Sequence, residues 1–199
     1  MCLDFFQAGA ETTSTTLLWA VMYMALNPDV QRKCQREICD SLGERLPSID
    51  DYYGLTYTVA ACMEIQRLSR VGQRSLFHRL LKDTEVNGYK FKAGQHFATN
   101  IEKCLLDPDQ FPDPLKFNPE RFLNSNGEVV KKDYLIPFGI GKRICMGESL
   151  AKNELFIFFV RLLQRLDIKV TDPKPDPEDC ICSMTRIPNP YFVKVEERI

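Results

Sequence analysis

The chain has 199 residues, of which 44% are hydrophobic, and its 26 basic and 27 acidic side chains give a net charge of -1. This length and composition fit one domain with a sizeable core and exclude disorder along the whole chain. The balance of charge gives no electrostatic basis for binding nucleic acid or an anionic membrane surface, so neither partner is expected.

The spacing of the cysteines argues against a zinc-binding module. The eight cysteines lie at positions 2, 34, 39, 62, 104, 145, 180 and 182, and no two of them have the two-residue gap of a zinc knuckle. The longest unbroken apolar stretch, residues 17–26, is shorter than the roughly 20 residues that a membrane span needs. We expect reduced cysteines in a protein that faces the cytosol.

Two helices are predicted in the first part of the chain. Residues 3–26 are apolar nearly all round, which favours a buried helix. Asn27 and Pro28 are typical of an N-cap and a first helical position, and they predict an amphipathic helix that continues to about Leu42 and is stopped by Gly43.

The middle of the chain changes character. Residues 79–99 form short alternating runs that are broken at Asn87-Gly88 and Ala93-Gly94, a pattern typical of β-hairpins.

Further elements are predicted towards the C-terminus. Residues 107–122 contain four prolines and predict an irregular segment. A second apolar helix is predicted over residues 146–166, and residues 180–197 predict a hairpin that turns at Asn189-Pro190. The predicted fold class is mainly α, with small antiparallel β-sheets.

Residues 138–147 carry the strongest chemical signal. Three glycines allow the backbone to come close to a bound group: Gly139, Gly141 and Gly147. Cys145 lies just before the predicted helix, whose N-terminal partial charge favours a thiolate, and the planar Arg143 guanidinium can bind a carboxylate. A buried structural cysteine in a glycine loop is the alternative interpretation.

Read together, these residues match Phe-x-x-Gly-x-Arg-x-Cys-x-Gly, which resembles the haem-binding loop of the cytochrome P-450 family. The resemblance implies that Cys145 is the axial thiolate ligand of a haem b iron. It also implies that the other residues of the loop surround the haem: Phe138, Gly139, Gly141, Arg143 and Gly147.

Residues 8–13, in the first predicted helix, resemble the oxygen-binding segment of the same family. The resemblance implies that Ala8 and Gly9 leave room beside the haem, and that Thr12 and Glu11 deliver protons as general acids. The alternative is a polar patch on a core helix, where a threonine hydroxyl donates back to the backbone of the preceding turn.

Four further residues resemble positions of the family. Glu64 and Arg67 match Glu-x-x-Arg, with a spacing that places both side chains on one helix face. The resemblance implies that Glu64, Arg67 and Arg121 form a structural network behind the haem loop. His78 resembles a position that donates to a haem propionate. The alternatives are a surface ion pair and a solvated histidine.

The whole resemblance implies the C-terminal part of the P-450 fold. Residues 1–199 would form a partial haem domain, and the N-terminal half with its membrane anchor would be absent. The parent would be a haem-thiolate monooxygenase of the endoplasmic reticulum, facing the cytosol. It would insert one oxygen atom from O2 into a small apolar substrate, such as a xenobiotic or a lipid, with electrons from NADPH through NADPH-cytochrome P-450 reductase. The alternative is a truncated, non-catalytic fragment with weak or no haem binding.

Overall fold

Helices form most of the fold in the computed structural model, which describes residues 2–198. Five α-helices are present in that range: α1 (Cys2–Leu26), α2 (Pro28–Leu42), α3 (Thr56–Ser69), α4 (Ile101–Leu105) and α5 (Glu148–Arg165). Pro28 at the start of α2 and Gly43 just after it confirm the limits predicted for that helix. Within the described range, no helix combines the length and the apolar character that a membrane crossing requires.

Short strands pair into small antiparallel sheets, which confirms the predicted fold class. In chain order the strands are β1 (His78–Arg79), β2 (Thr84–Val86), β3 (Tyr89–Phe91), β4 (His96–Phe97), β5 (Leu166–Val170), β6 (Cys180–Cys182), β7 (Arg186–Pro188) and β8 (Val193–Glu197). The pairs are β1 with β4, β2 with β3, β5 with β8, and β6 with β7. Asn87 and Gly88 both adopt positive φ between β2 and β3, as a tight two-residue hairpin turn requires.

The core lies where α1, α2, α3 and α5 meet. Its largest fully buried apolar side chains include Trp19, Met22, Met24, Ile65, Phe156 and Phe159. Tyr23 stacks on Phe117 with ring centroids 4.9 Å apart, so the irregular segment after α4 also contributes to this core.

The prediction of a buried first helix is correct only for its second half. The buried side chains of α1 begin at Thr15, whereas Leu3 and Phe6 are 81% and 77% exposed. The apolar pattern identified the helix, but burial also depends on what packs against it. The described core covers only the C-terminal half of α1.

The predicted C-terminal hairpin turn at Asn189-Pro190 is wrong. The turn of that hairpin lies between β6 and β7, where the Ser183 amide donates to the Thr185 carbonyl at 3.1 Å. After Pro190 the chain continues into β8, which pairs with β5, the strand that follows α5 in the sequence. A proline has no amide hydrogen for a strand ladder, so Pro190 separates the two sheets instead of joining one.

Candidate functional site

Backbone hydrogen bonds fix the loop that carries Cys145. The Cys145 amide donates to the Phe138 carbonyl at 2.9 Å, and the Gly139 amide donates to the Ile136 carbonyl at 2.9 Å. Gly139 and Gly141 have φ values of 77° and 73°, which L-residues with a side chain rarely adopt. The two glycines therefore allow the loop to close, with Phe138 at its start hydrogen-bonded to Cys145 at its end.

The thiol of Cys145 is exposed just before α5 begins at Glu148. A β-carbon at Gly147 would lie 3.9 Å from the Cys145 sulfur, so the backbone passes close to the thiol. The free amides of a helix N-terminus carry partial positive charge, and Cys145 lies three residues before the first residue of α5.

The side chains along this segment fit a haem. Ile140, Ile144, Met146 and Leu150 are all exposed although they are apolar, and Met146 is 84% exposed. A haem presents a flat apolar ring and takes a single axial ligand from the protein on its thiolate side. An accessible thiol flanked by apolar side chains provides both kinds of contact.

The two side chains that the resemblance assigns to the haem carboxylates, those of Arg143 and His78, lie in separate elements. Arg143 is exposed in the short 3-10 helix Gly141–Arg143, and its guanidinium forms no ion pair with any described residue. His78 opens β1 opposite Phe97, and the two rings are 5.5 Å apart. The Phe138 ring lies under the Lys152 ammonium at 5.6 Å.

Side chains of residues 8–13 form hydrogen bonds with two parts of the chain that are distant in sequence. Thr13 donates to the Glu154 carboxylate in α5 at 3.2 Å. The Thr185 hydroxyl, at the turn between β6 and β7, donates to Glu11 at 3.0 Å. Thr12 donates to the Ala8 carbonyl at 2.7 Å, the local bond that threonine often forms in a helix.

The same helix segment has open space at Gly9, where a β-carbon would meet nothing within 4 Å. Sequence reasoning missed Thr185 as a partner of Glu11, because 174 positions separate the two residues and no local pattern joins them.

Glu64, Arg67 and Arg121 are in direct contact. Arg67 donates to both Glu64 carboxylate oxygens at 2.7 and 2.9 Å, and Arg121 Nε donates to Glu64 Oε1 at 3.0 Å. Glu64 and Arg67 are fully buried, so both charges have left water and are compensated by each other.

Backbone groups complete this cluster. Arg67 donates to the Leu105 carbonyl at 2.8 Å, and Arg121 donates to the Pro112 carbonyl at 3.0 Å. The backbone amide of Asn118 donates to Glu64 Oε1 at 2.9 Å, a contact that sequence reasoning missed. Its signal was the N-cap pattern of an asparagine before Pro119, which predicts an ordered turn here. The cluster thus joins α3 to the irregular segment between α4 and α5.

Comparisons with known proteins agree on one family. The sequence profile described as Cytochrome P450 matches residues 1–195. The chain is 40% identical to cytochrome P450 2D15 of Canis lupus familiaris over 197 residues. The matched region covers 98% of this chain and 39% of that protein. It is 40% identical to human cytochrome P450 2U1 over 197 residues, or 98% of this chain and 36% of that protein. It is 39% identical to human cytochrome P450 2D6 over 190 residues, or 94% of this chain and 38% of that protein. The chain therefore spans less than two fifths of the length of these relatives.

Proposed function

Because the chain belongs to the cytochrome P450 family, we propose that it binds haem b through Cys145 and forms the haem-binding part of a monooxygenase. The reaction is the insertion of one oxygen atom from O2 into a small apolar organic substrate. The observation that carries the proposal is the exposed Cys145 thiol, which lies before α5 in a loop closed by its own backbone. Exposed apolar side chains flank that thiol, as the ring of a haem requires.

Each residue of the loop has a distinct part in the proposal. Haem supplies the oxygen-activating redox chemistry when it is bound, with electrons from NADPH through a separate reductase. Cys145 acts as a thiolate, which the N-terminus of α5 stabilises. Gly139 and Gly141 adopt the positive φ that lets the loop close, and Gly147 is the glycine whose β-carbon would lie 3.9 Å from the sulfur. Arg143 and His78 donate to the two haem carboxylates, a charge-assisted contact that holds the ring in place.

Thr12 and Glu11 of α1 are the proposed proton donors, and their roles rest on the contacts of their own side chains. The Thr12 hydroxyl is oriented by its hydrogen bond to the Ala8 carbonyl, which leaves the lone pairs of its oxygen able to accept a hydrogen bond. The Thr185 hydroxyl donates to one oxygen of Glu11, which leaves the second oxygen as the proposed proton carrier. Gly9 leaves open space in the same helix segment for a small molecule.

The cluster of Glu64, Arg67 and Arg121 has a structural role in this proposal. It fixes the segment before the cysteine loop to α3 by charged hydrogen bonds inside the protein. None of its side chains carries the chemistry. Its loss is expected to weaken folding and haem retention together.

The same resemblance to microsomal relatives supports a location for the protein. We propose that it lies on the cytosolic face of the endoplasmic reticulum and receives electrons from NADPH-cytochrome P450 reductase. Xenobiotics and lipids are the proposed class of substrate.

Oxygen insertion tests the proposal. The chain would be reconstituted with haem b, purified from free haem, and incubated with reductase, NADPH, an apolar substrate and 18O-labelled dioxygen. We expect one labelled oxygen atom in the product, and no product from Cys145→Ala. Haem-loaded protein that forms no product with a panel of apolar substrates would contradict catalysis by this chain and support the non-catalytic alternative.

A further inference from the structure

Two thiols outside the proposed haem site lie next to each other in β6. The Cys180 and Cys182 sulfur atoms are 3.5 Å apart. Alternate residues of a strand point to the same face, so one face of β6 presents both sulfurs. Cys182 is exposed and Cys180 is half-buried, which leaves the pair open to a small reagent.

The rest of the hairpin is held firmly. Ile181 pairs with Ile187 of β7, and the Arg186 amide of β7 donates to the Val71 carbonyl at 3.0 Å. The buried Arg186 guanidinium lies 4.3 Å from the centre of the Trp19 ring. Because β7 is anchored to the core, the two sulfurs of β6 are already in place, and little ordering is needed when a ligand binds.

The distance between the sulfurs selects the class of ligand. With a bond from sulfur to the central atom of about 2.3 Å, the two sulfurs subtend roughly 100° at that atom. A linear two-coordinate metal would need them on opposite sides. Zinc needs four ligands, and between residues 2 and 198 no three histidine, cysteine or acidic side chains are placed to hold a metal. A monoorganic trivalent arsenical needs only two thiols, since its third bond goes to its own carbon, and its bond angles are close to a right angle.

A disulfide fits the same pair less well. Residues two apart in a strand have Cα atoms about 6.6 Å apart, near the upper limit of about 6.8 Å for a disulfide. Burial and the hydrogen bond with Cys182 raise the pKa of the Cys180 thiol. The thiolate that would attack an oxidant or a disulfide is therefore scarce at neutral pH.

We infer that Cys180 and Cys182 form a dithiol site that binds monoorganic trivalent arsenicals. In the step, two arsenic–sulfur bonds form and the arsenic–oxygen bonding of a monoorganic trivalent arsenic oxide is lost. The two thiol protons leave with that oxygen as water. Arsenic stays trivalent and sulfur keeps its oxidation state, so no oxidant or reductant takes part.

Capture of phenylarsine oxide tests the site on the full chain. The reduced protein would receive one equivalent of the reagent, then an excess of a monothiol that removes arsenic from single cysteines, and its intact mass would be measured. We expect one phenylarsenic group per chain, released by a small dithiol. Cys180→Ser and Cys182→Ser should each retain at least about tenfold less arsenic, because each variant lacks the second sulfur that would bind the same arsenic atom within one molecule. Cys39→Ser, at an exposed cysteine of α2, is the matched control and should behave like the parent.

Equal retention by the parent and either hairpin variant would overturn the inference, as would an equal loss in Cys39→Ser. Peptide mapping of the parent adduct gives a result that does not depend on how a variant folds. We expect the arsenic on the peptide that contains both Cys180 and Cys182. Its recovery on Cys34 and Cys62 would place the site in the core instead.

Discussion

Replacing Glu64 with glutamine should remove a large part of the stability of the fold. Glu64 is fully buried and accepts four hydrogen bonds: two from Arg67, one from Arg121 Nε and one from the Asn118 amide. Glutamine has the same shape, but its NH2 group would replace one acceptor oxygen, and its neutral amide cannot compensate two guanidinium charges. Breaking a buried ion pair by removing one partner costs about 3–5 kcal/mol. We expect a loss in that range, from a total that is typically about 5–15 kcal/mol.

Urea unfolding measures this loss, followed by far-UV circular dichroism and by the emission of Trp19, the single tryptophan, which is fully buried. Glu120→Gln is the matched control, because Glu120 pairs with Lys33 at 2.6 Å while both side chains are more than half exposed. An exposed pair contributes about 0–1 kcal/mol. If Glu64→Gln lowers the free energy of unfolding no more than Glu120→Gln does, the buried cluster stabilises the fold no more than an exposed ion pair.

Two further perturbations have expected outcomes of known sign. Gly139→Ala places a side chain on a residue with positive φ and should lower the free energy of unfolding by about 1–2 kcal/mol. Gly147 has negative φ, so Gly147→Ala should leave the stability nearly unchanged. Equal urea midpoints for the two variants would contradict this difference. The Arg45 guanidinium, which donates to both oxygens of Asp51 at 2.6 and 3.1 Å, lowers the pKa of that carboxyl. Its stabilising contribution is therefore fully present above the unfolded pKa of about 3.9 and is lost as the pH falls through the lower folded pKa. Asp51→Asn should lose less stability than the parent between pH 7 and pH 3, and parallel losses in urea melts at the two pH values would argue against the ion pair.

Local patterns predicted local structure well. The hairpin at Asn87-Gly88 follows from two residues that tolerate positive φ, and α2 follows from Pro28 and Gly43 at its two ends. The glycines before Cys145 likewise predicted a loop that the backbone could close.

Long-range pairings could not be predicted in the same way. The partner of β8 is β5, across the whole hairpin of β6 and β7, and no turn sequence encodes that choice. Spacing placed Glu64 and Arg67 on one helix face, but it did not show that the pair is buried or that the Asn118 amide completes it. The exposure of Leu3 was hidden for the same reason, because a helical pattern does not show which part of a helix the core covers.

The central claim is that Cys145 is the thiolate ligand of a haem, and the carbon monoxide difference spectrum tests it most directly. The chain would be expressed with added haem, purified, reduced with dithionite and compared before and after carbon monoxide. We predict a strongly red-shifted Soret band, which is lost in Cys145→Ala and kept in Cys39→Ser, a variant of another exposed cysteine. An unshifted band in the parent chain, or a red-shifted band that persists in Cys145→Ala, would contradict the assignment.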